Sequence, residues 1–502
     1  MKLFIDEAGK RREAEAHEGQ TVLDVLQLER VDIQATCGGV GKCGRCQVLV
    51  RDDEGLSYRL ACTTPVSDGM EVVVEHAGVM EVLETGVTNE FPPDEGAEGY
   101  GVSIDIGTTT VVAYLHDLAT GKRLASVGRP NPQIAFGSDV ISRISASVDG
   151  KLDLMTGVIV DAMCEMRDKL CKTTGIGVDE VKAVAIAGNT VMQHIAAGLP
   201  PDSIGGSPFT PLSLFGDVRE IEGLGKCYFA RCIAGYVGGD ITAGMLACSI
   251  DAGGTRLFLD LGTNGEMALA YDGRIVSCAT AAGPVFEGAN VHFGMPASPG
   301  AVSKVSFEDD QVKIQVIGDA APIGICGTGI IDAVATMVEQ GVVSYTGRLL
   351  DPEDIEGPAA RFVGEEDDRN VFYLTDDHSL FITQADVRNV QLAKAAVCAG
   401  IHTMVEYANI QVDDIESLEI AGGFGAYLNL ESAATIGLFP AQLLPVAKSV
   451  GNTSGEGATA LLVSSVAHAR EDEIVEKCDY LELSTSLEFN KHYVKMMEFG
   501  DE

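Results

Sequence analysis

Four cysteines near the N-terminus have the spacing of ligands for a redox cluster. Cys37, Cys43 and Cys46 lie in a glycine-rich run and Cys62 follows at a distance, so the pattern reads C-x5-C-x2-C-x15-C. Plant-type [2Fe–2S] clusters are held by a similar three-cysteine loop and one distant thiolate. The intervening glycines let the backbone wrap closely and point N–H groups at the sulfur atoms. The spacing therefore predicts a one-electron carrier.

A zinc site is the main alternative use of these thiols. Zinc sites usually combine two short-spaced pairs, and only Cys43 and Cys46 form one. The flanking sequence favours a small ferredoxin-like β-grasp domain. MKLFID and REAEAH predict a hairpin, Thr21 is placed to cap a helix through VLDVLQL, and QVLVRD and MEVVVEH have strand patterns.

Two turns that follow apolar strands have the composition of phosphate-binding loops. Each reads Asp-x-Gly-Thr, and the N–H and hydroxyl groups of such a turn form a concave anion site. The strand-end aspartate can hold Mg²⁺, usually through water. A structural role in the turn is the alternative for each aspartate. The predicted residues are Asp105, Gly107, Thr108 and Thr109 in the first turn, and Asp260, Gly262, Thr263, Asn264 and Gly265 in the second.

A later glycine-rich segment predicts close passage of the backbone beside an adenine or ribose. Its residues are Gly422, Gly423, Phe424 and Gly425. The surrounding segment 419–428 echoes the segment 184–192 (VAIAGNTVM), just as the two Asp-x-Gly-Thr turns echo each other. Two similar halves indicate a gene-duplicated α/β core.

Four further polar residues have candidate roles beside structural alternatives. Asp240 follows two glycines, and it is placed either to position the attacking water or to cap the next helix. Glu266 follows the second turn and is a candidate Mg²⁺ ligand. Asn189 and Thr190 are expected either to face the nucleotide or to form hydrogen bonds with buried polar groups. These alternatives stay open at the level of sequence.

The composition limits the classes of partner and compartment. The chain has 502 residues, 46% hydrophobic residues and 58 glycines, which suits an α/β protein of two or three domains. The net charge of −39 disfavours nucleic acid and anionic membranes. We find neither a signal peptide nor an 18-residue apolar span, and we expect the nine other cysteines to be reduced, buried thiols. These features predict a cytoplasmic protein. Separately, we expect His194 and His292 to be hydrogen-bonded structural histidines.

Changes in composition divide the chain into five segments. The segment 79–98 is acidic and contains a Pro-Pro pair, which is typical of a linker that lets the cluster move; an ordered, docked connection is the alternative. The predicted segments are a ferredoxin-like domain (1–78), the linker (79–98), the first half of the core (99–250), the second half (251–470) and a C-terminal tail (471–502).

The motifs of the core resemble the acetate kinase, sugar kinase, Hsp70 and actin (ASKHA, ribonuclease H-like) superfamily of ATPases. A ferredoxin-like domain fused ahead of such a core resembles the reductive activators of corrinoid proteins. The resemblance covers nearly the whole chain. It extends through NPQIAFGSDVISRI at 131–144, the segment 187–209, GYVGGDITAG at 235–244, GICGTGIIDAV, AGGFG and YLELSTSLEF.

The resemblance implies an ATP-hydrolysing activase of an anaerobic methyltransferase system. In that family an electron passes from a low-potential donor to the [2Fe–2S] cluster, and then reduces inactive Co(II) in a corrinoid protein to Co(I). ATP and Mg²⁺ are the implied cofactors of the core, and a homodimer is the implied assembly.

Three other functions remain alternatives at this stage. The first is an electron activator of a different low-potential enzyme, such as a 2-hydroxyacyl-CoA dehydratase, although those activators need no four-cysteine domain. The second is a kinase or amidohydrolase of the superfamily with an accessory ferredoxin domain. The third is a nucleotide-gated electron carrier that binds ATP without hydrolysing it. ATP turnover with and without a protein partner distinguishes the last two.

Overall fold

The computed structural model describes residues 1–7, 10–35, 37–42, 45–52, 55–74, 91–318, 320–422 and 427–500. Four predicted site residues lie outside these ranges: Cys43, Gly423, Phe424 and Gly425. Most of the predicted linker, through residue 90, also lies outside the described residues.

The described residues form 23 strands and 11 α-helices. The strands are β1 (Lys2–Glu7), β2 (Lys10–Glu15), β3 (Gln47–Asp52), β4 (Gly55–Leu60), β5 (Glu71–Val74), β6 (Tyr100–Ile106), β7 (Thr110–Asp117), β8 (Arg123–Pro130), β9 (Val181–Gly188), β10 (Asp217–Ile221), β11 (Gly225–Phe229), β12 (Arg256–Leu261), β13 (Gly265–Tyr271), β14 (Arg274–Thr280), β15 (Ala301–Glu308), β16 (Gln311–Val316), β17 (Gly324–Ile325), β18 (Val363–Glu366), β19 (Arg369–Tyr373), β20 (Phe381–Thr383), β21 (Ser417–Ala421), β22 (Ala447–Gly451) and β23 (Cys478–Tyr480). The helices are α1 (Val22–Leu28), α2 (Val140–Ala146), α3 (Leu152–Thr174), α4 (Thr190–Ala196), α5 (Gly239–Ala247), α6 (Gly327–Glu339), α7 (Gln384–Ala408), α8 (Leu430–Thr435), α9 (Thr453–Val463), α10 (Ser465–Glu476) and α11 (Leu487–Lys495).

The N-terminal sheet has the β-grasp arrangement that the sequence predicts. Its strand order is β2-β1-β5-β3-β4, with β1 parallel to β5 and the other neighbours antiparallel. Thr21 caps α1 through a reciprocal pair of hydrogen bonds with Asp24. Leu23 and Leu26 of this helix are buried in the core. The predicted ferredoxin-like fold is confirmed.

The remaining chain contains two six-stranded sheets that share the arrangement of four strands, β9-β6-β7-β8 and β21-β12-β13-β14, which confirms the duplicated core. The edges of the two sheets differ, because β10 pairs antiparallel with β11 in the first, whereas β23 pairs parallel with β14 at the opposite edge of the second. The first has the order β10-β11-β9-β6-β7-β8, and the second has the order β22-β21-β12-β13-β14-β23. In each, three consecutive strands form an antiparallel meander, and a later strand pairs parallel with the first of them. The Asp-x-Gly-Thr turns join the first two strands of the meanders.

The chain forms two compact units whose boundaries do not follow sequence order. The segment Ser454–Val475 belongs to the first unit, with the described residues up to Ala243. The second unit contains Gly244–Thr453 and the described residues from Glu476 onward. The predicted domain boundaries therefore remain predictions, and the start of the predicted tail falls inside α10.

The C-terminal residues are ordered parts of the two units. β23 pairs parallel with β14, and α11 packs on α7. Lys394 of α7 is buried and donates a hydrogen bond to the carbonyl of Glu498, and its ammonium lies over the ring of Phe499. In the described residues, no helix has both the length and the apolar character needed to cross a membrane.

Glu471 of α10 is a fully buried carboxyl group. It accepts hydrogen bonds from the hydroxyl of Tyr228 at 2.5 Å and from the N–H of Arg231 at 2.9 Å. Burial raises the pKa of Glu471 from 4.5 to about 7, although these two hydrogen bonds act against the rise. Between about pH 4.5 and pH 7, the folded protein therefore keeps a proton on Glu471 that the unfolded chain releases.

Stability is expected to fall as pH rises from about 4.5 to about 7, because the folded form of Glu471 must then lose its proton. The shift corresponds to about 3 kcal/mol at most. In Glu471→Gln the amide oxygen can accept the N–H of Arg231 and the amide nitrogen can donate to the hydroxyl oxygen of Tyr228, as the protonated acid does. This variant should lose the pH-dependent component of stability, whereas Glu473→Gln on the same helix should keep it. Denaturant unfolding at about pH 5 and pH 8 measures the difference. Equal pH dependence in the wild type and the Glu471→Gln variant would contradict the assignment.

Candidate functional site

Two of the predicted cluster ligands lie side by side in a buried position. The Sγ atoms of Cys46 and Cys62 are 3.3 Å apart, which exceeds the S–S bond length of about 2.05 Å, and both thiols are free. Burial, and next the Cys46 thiol, raise the pKa of Cys62 to about 11. Cys37 is partly exposed and also interacts with Cys62. Paired soft donors within a hydrophobic cluster fit iron–sulfur chemistry.

The described residues contain no group of three or more His, Cys, Asp or Glu side chains arranged around a common metal position. The loop glycines are nevertheless explained by their conformation. Gly38, Gly39 and Gly41 have φ values of 66°, 92° and 76°, which are in the left-handed region that glycine adopts without strain. A Cβ on Gly39 would lie 3.0 Å from Leu23 Cδ2. The loop therefore packs closely on α1.

The first Asp-x-Gly-Thr turn is tight and connects to other motifs of the same unit. The N–H of Gly107 donates to the carbonyl of Thr110 at 3.0 Å, and a Cβ on Gly107 would lie 2.7 Å from that oxygen. Asn189 caps α4 and donates from Nδ2 to Thr108 Oγ1 at 3.0 Å. Asp105 accepts a hydrogen bond from Ser454 Oγ at 2.8 Å.

Asp240 lies in the first turn of α5, at the second helical residue. Its Oδ1 accepts the N–H of Ile241 at 2.9 Å, and the side chain is partly exposed. Gly238 is forced by close packing, because a Cβ there would lie 2.5 Å from the Cα of Asn189. The structure thus places the segment 235–240 (GYVGGD) against the segment 187–190 (AGNT). Thr190 binds the carbonyl of Ala234, which is the structural role that the sequence left open.

The second turn carries a carboxylate that sequence reasoning missed. The N–H of Gly262 donates to the carbonyl of Asn264 at 3.0 Å. Asn264 Nδ2 donates to Glu266 Oε1 at 3.0 Å, and Thr263 Oγ1 donates to Glu287 Oε1 at 2.9 Å. Glu287 ends a short 3-10 helix after β14, and no local pattern distinguishes it. Two carboxylates therefore border this turn.

The backbone conformation and close packing of Gly422 explain why the late glycine-rich segment begins with a glycine. Its φ of +102° is unfavourable for other residues. A Cβ there would clash with the carbonyl of Leu261 and lie 2.9 Å from Asp260 Oδ1. The chain after β21 therefore passes directly over the second turn. Gly423, Phe424 and Gly425 lie outside the described residues, and their role beside the adenine or ribose stays a prediction.

Ser454 is a further residue that the sequence analysis missed. It follows β22 at the beginning of α9, in the run GNTSGE. The same letters GNT occur at 188–190, at the end of β9, where Asn189 contacts the first turn. This repeat is a signal that could have identified the segment at 451–454.

His194 has the structural role that the sequence predicts, whereas His292 is exposed and its predicted role stays a prediction. His194 is fully buried, its Nδ1 hydrogen-bonds the carbonyl of Thr190 at 2.7 Å, and burial lowers its pKa. His292 packs its ring against Phe293 and Phe381. Of the nine other cysteines, seven are buried, whereas Cys164 and Cys478 are partly exposed.

Comparisons with known proteins match each part of the chain. Residues 5–67 match the 2Fe-2S iron-sulfur cluster binding domain. Residues 100–253 match the RACo middle region, and residues 254–502 match the C-terminal ASKHA domain of RACo. The corrinoid activation enzyme RamQ of Eubacterium limosum is 30% identical over 583 aligned positions, which cover 97% of this chain and 98% of RamQ. The chain belongs to the RACo family.

Two further similarities accompany the RACo family assignment. The Co(II) methylated amine-specific corrinoid protein reductase of Methanosarcina barkeri is 26% identical over 79% of this chain and 76% of that protein. A solved structure of a reductive activator for corrinoid, iron-sulfur protein aligns with a TM-score of 0.71 and 29% identity, over 99% of this chain and 98% of that one. This RACo family member therefore combines an iron–sulfur domain with an ATP-binding ASKHA core.

Proposed function

We propose that this protein is an ATP-dependent reductive activator of a corrinoid protein. In the reaction, one electron from a low-potential donor reduces Co(II) of the bound partner to Co(I), which then accepts a methyl group. The observation that carries the proposal is the alignment with RamQ along almost the whole length of both chains, from the cysteine loop through the second turn.

Four thiolates are proposed to hold the [2Fe–2S] cluster: Cys37, Cys43, Cys46 and Cys62. The proximity of the Cys46 and Cys62 thiols supports this, since two sulfur ligands of one iron atom must lie close together. When bound, the cluster supplies one-electron chemistry at low potential. The residues of the chain fix the loop on α1 and exclude water from the buried pair.

The two Asp-x-Gly-Thr turns are proposed to bind the phosphates of ATP, with Mg²⁺ near Asp105 and Asp260. Carboxylate oxygens suit this hard cation. Ser454 orients the carboxylate of Asp105 by donating a hydrogen bond to it. Glu266 and Glu287 add negative charge at the second turn, and Asp240 is proposed to position the attacking water. The glycine-rich segment from Gly422 is proposed to pass beside the adenosine.

ATP is needed because the electron transfer is energetically uphill. Plant-type clusters have reduction potentials near −400 mV, and we expect the Co(II)/Co(I) couple to lie lower. For one electron, each ~59 mV uphill costs ~1.4 kcal/mol. Nucleotide-driven binding of the partner is proposed to offset this cost by changing the axial ligation of cobalt.

ATP turnover across a panel of Co(II) corrinoid proteins tests the proposal. We expect slow turnover by the protein alone and a clear stimulation by the cognate Co(II) partner, but not by the same partner in its methylated form. High turnover that no panel member changes would favour a small-molecule kinase or amidohydrolase. Binding of ATP without turnover under every condition would favour a nucleotide-gated carrier.

A further inference from the structure

The three carbonyl groups of the first phosphate turn are bound by Asn131 and by Arg143 of α2. Asn131 donates from Nδ2 to the carbonyl of Gly107 and from its backbone N–H to the carbonyl of Thr109, both at 2.8 Å. Arg143 Nη2 donates to the carbonyl of Thr108 at 2.6 Å. These hydrogen bonds hold the three carbonyl groups of the turn in fixed positions.

Arg143 fixes the whole segment 131–137 to this turn. It is fully buried. Its Nε donates to the carbonyl of Gly137 at 3.1 Å, and its Nη1 contacts Gln133 Oε1 at 3.4 Å. The guanidinium is planar and presents five donors in fixed directions. Arg143 therefore links the turn to Gln133 and Gly137 of this segment.

The far end of the same segment touches the ferredoxin-like domain. Gln27 of α1 is buried and donates from Nε2 to the carbonyl of Ala135 at 2.5 Å. Its Oε1 accepts Lys151 Nζ at 3.1 Å. In the cysteine loop, a Cβ on Gly38 would lie 3.3 Å from the carbonyl of Phe136. The domain and the first half of the core also share one continuous hydrophobic cluster.

We propose that segment 131–137 couples nucleotide at the first phosphate turn to the cysteine loop of the ferredoxin-like domain. The proposal rests on the function proposed above, because it needs both a nucleotide and a cluster. Gly38 is next to the ligand Cys37, and the groups around cluster sulfurs tune the potential of the cluster. Energetic coupling between two sites is reciprocal. Nucleotide affinity must therefore differ between the oxidised and reduced protein.

Anaerobic calorimetry with a non-hydrolysable Mg·ATP analogue tests the coupling. We expect the dissociation constants of the oxidised and reduced forms to differ by about fivefold or more. Gln27→Leu, which removes the hydrogen bond to Ala135, should bring the ratio to one. Lys151→Met, which removes only the neighbour that binds Gln27, should bring the ratio closer to one. Iron content and cluster absorbance should stay at wild-type levels in both variants. Gln20→Leu is the control, since Gln20 accepts its hydrogen bond from His17 within the ferredoxin-like domain, and it should keep the wild-type ratio.

Two outcomes would overturn the inference. One is equal affinity of the oxidised and reduced wild-type protein. The other is a wild-type ratio that persists in both Gln27→Leu and Lys151→Met. If either outcome occurs while ATP still drives cobalt reduction, the proposed coupling is wrong and the proposed function stands. If the wild-type protein shows no ATP-dependent cobalt reduction, the proposed function itself is wrong.

Discussion

Cys46→Ala should abolish cobalt reduction and leave nucleotide binding intact. Cys46 lies 3.3 Å from Cys62 in a buried position, so its loss removes one of two adjacent sulfur donors from the proposed cluster. The purified variant is expected to lack the absorbance and the electron paramagnetic resonance signal of a [2Fe–2S] cluster. Its rate of Co(I) formation should equal the rate without the protein, whereas it should still bind ATP.

Cys164→Ala is the matched control for this substitution. Cys164 is a partly exposed thiol of α3, and burial raises its pKa, so it is a poor thiolate. We expect this variant to keep the cluster and the activity. A Cys46→Ala protein with full iron content and normal cobalt reduction would contradict the assignment of the cluster ligands.

Asp105→Asn should reduce ATP-dependent cobalt reduction by about 10²-fold or more, because it removes one charge from the proposed Mg²⁺·phosphate site. The asparagine Oδ1 can still accept the hydrogen bond from Ser454, so the local fold should persist. Steady-state ATP turnover and Co(I) formation measure the effect, and the two rates should fall together. The cluster spectrum should not change.

Asp117→Asn is the control, because Asp117 ends the adjacent strand β7 and accepts hydrogen bonds from Thr120 in an exposed turn. It should keep wild-type rates. Ser454→Ala should have a smaller effect than Asp105→Asn, since it removes only the group that orients the carboxylate. Wild-type ATP turnover in Asp105→Asn would show that the aspartate has a structural role in the turn.

The sequence was sufficient for features that depend on local spacing. Thr21 and Asp24 are three residues apart, which is the separation of a capping box. The repeated Asp-x-Gly-Thr pattern correctly predicted two halves whose sheets share the same four-strand arrangement. The four-cysteine spacing predicted the domain that the family comparison confirms.

The sequence was insufficient where distant segments meet. Ser454 reaches Asp105 although 349 positions separate them, and Glu287 reaches Thr263 from the end of a 3-10 helix. Glu471 would be expected on the surface from its charge alone. The hydroxyl of Tyr228 on β11 and the N–H of Arg231 nevertheless hold its carboxyl group in the core. Such positions depend on tertiary packing, which overrides the local pattern.

The most direct test of the account is the anaerobic absorbance spectrum of the Co(II) partner that stimulates ATP turnover. The partner would be mixed with this protein and a low-potential reductant, first without nucleotide and then with Mg·ATP. The account predicts that the Co(II) band disappears and a Co(I) band grows only after ATP is added, and not with the Cys46→Ala variant. An unchanged cobalt spectrum, with the cluster intact and reducible, would contradict it.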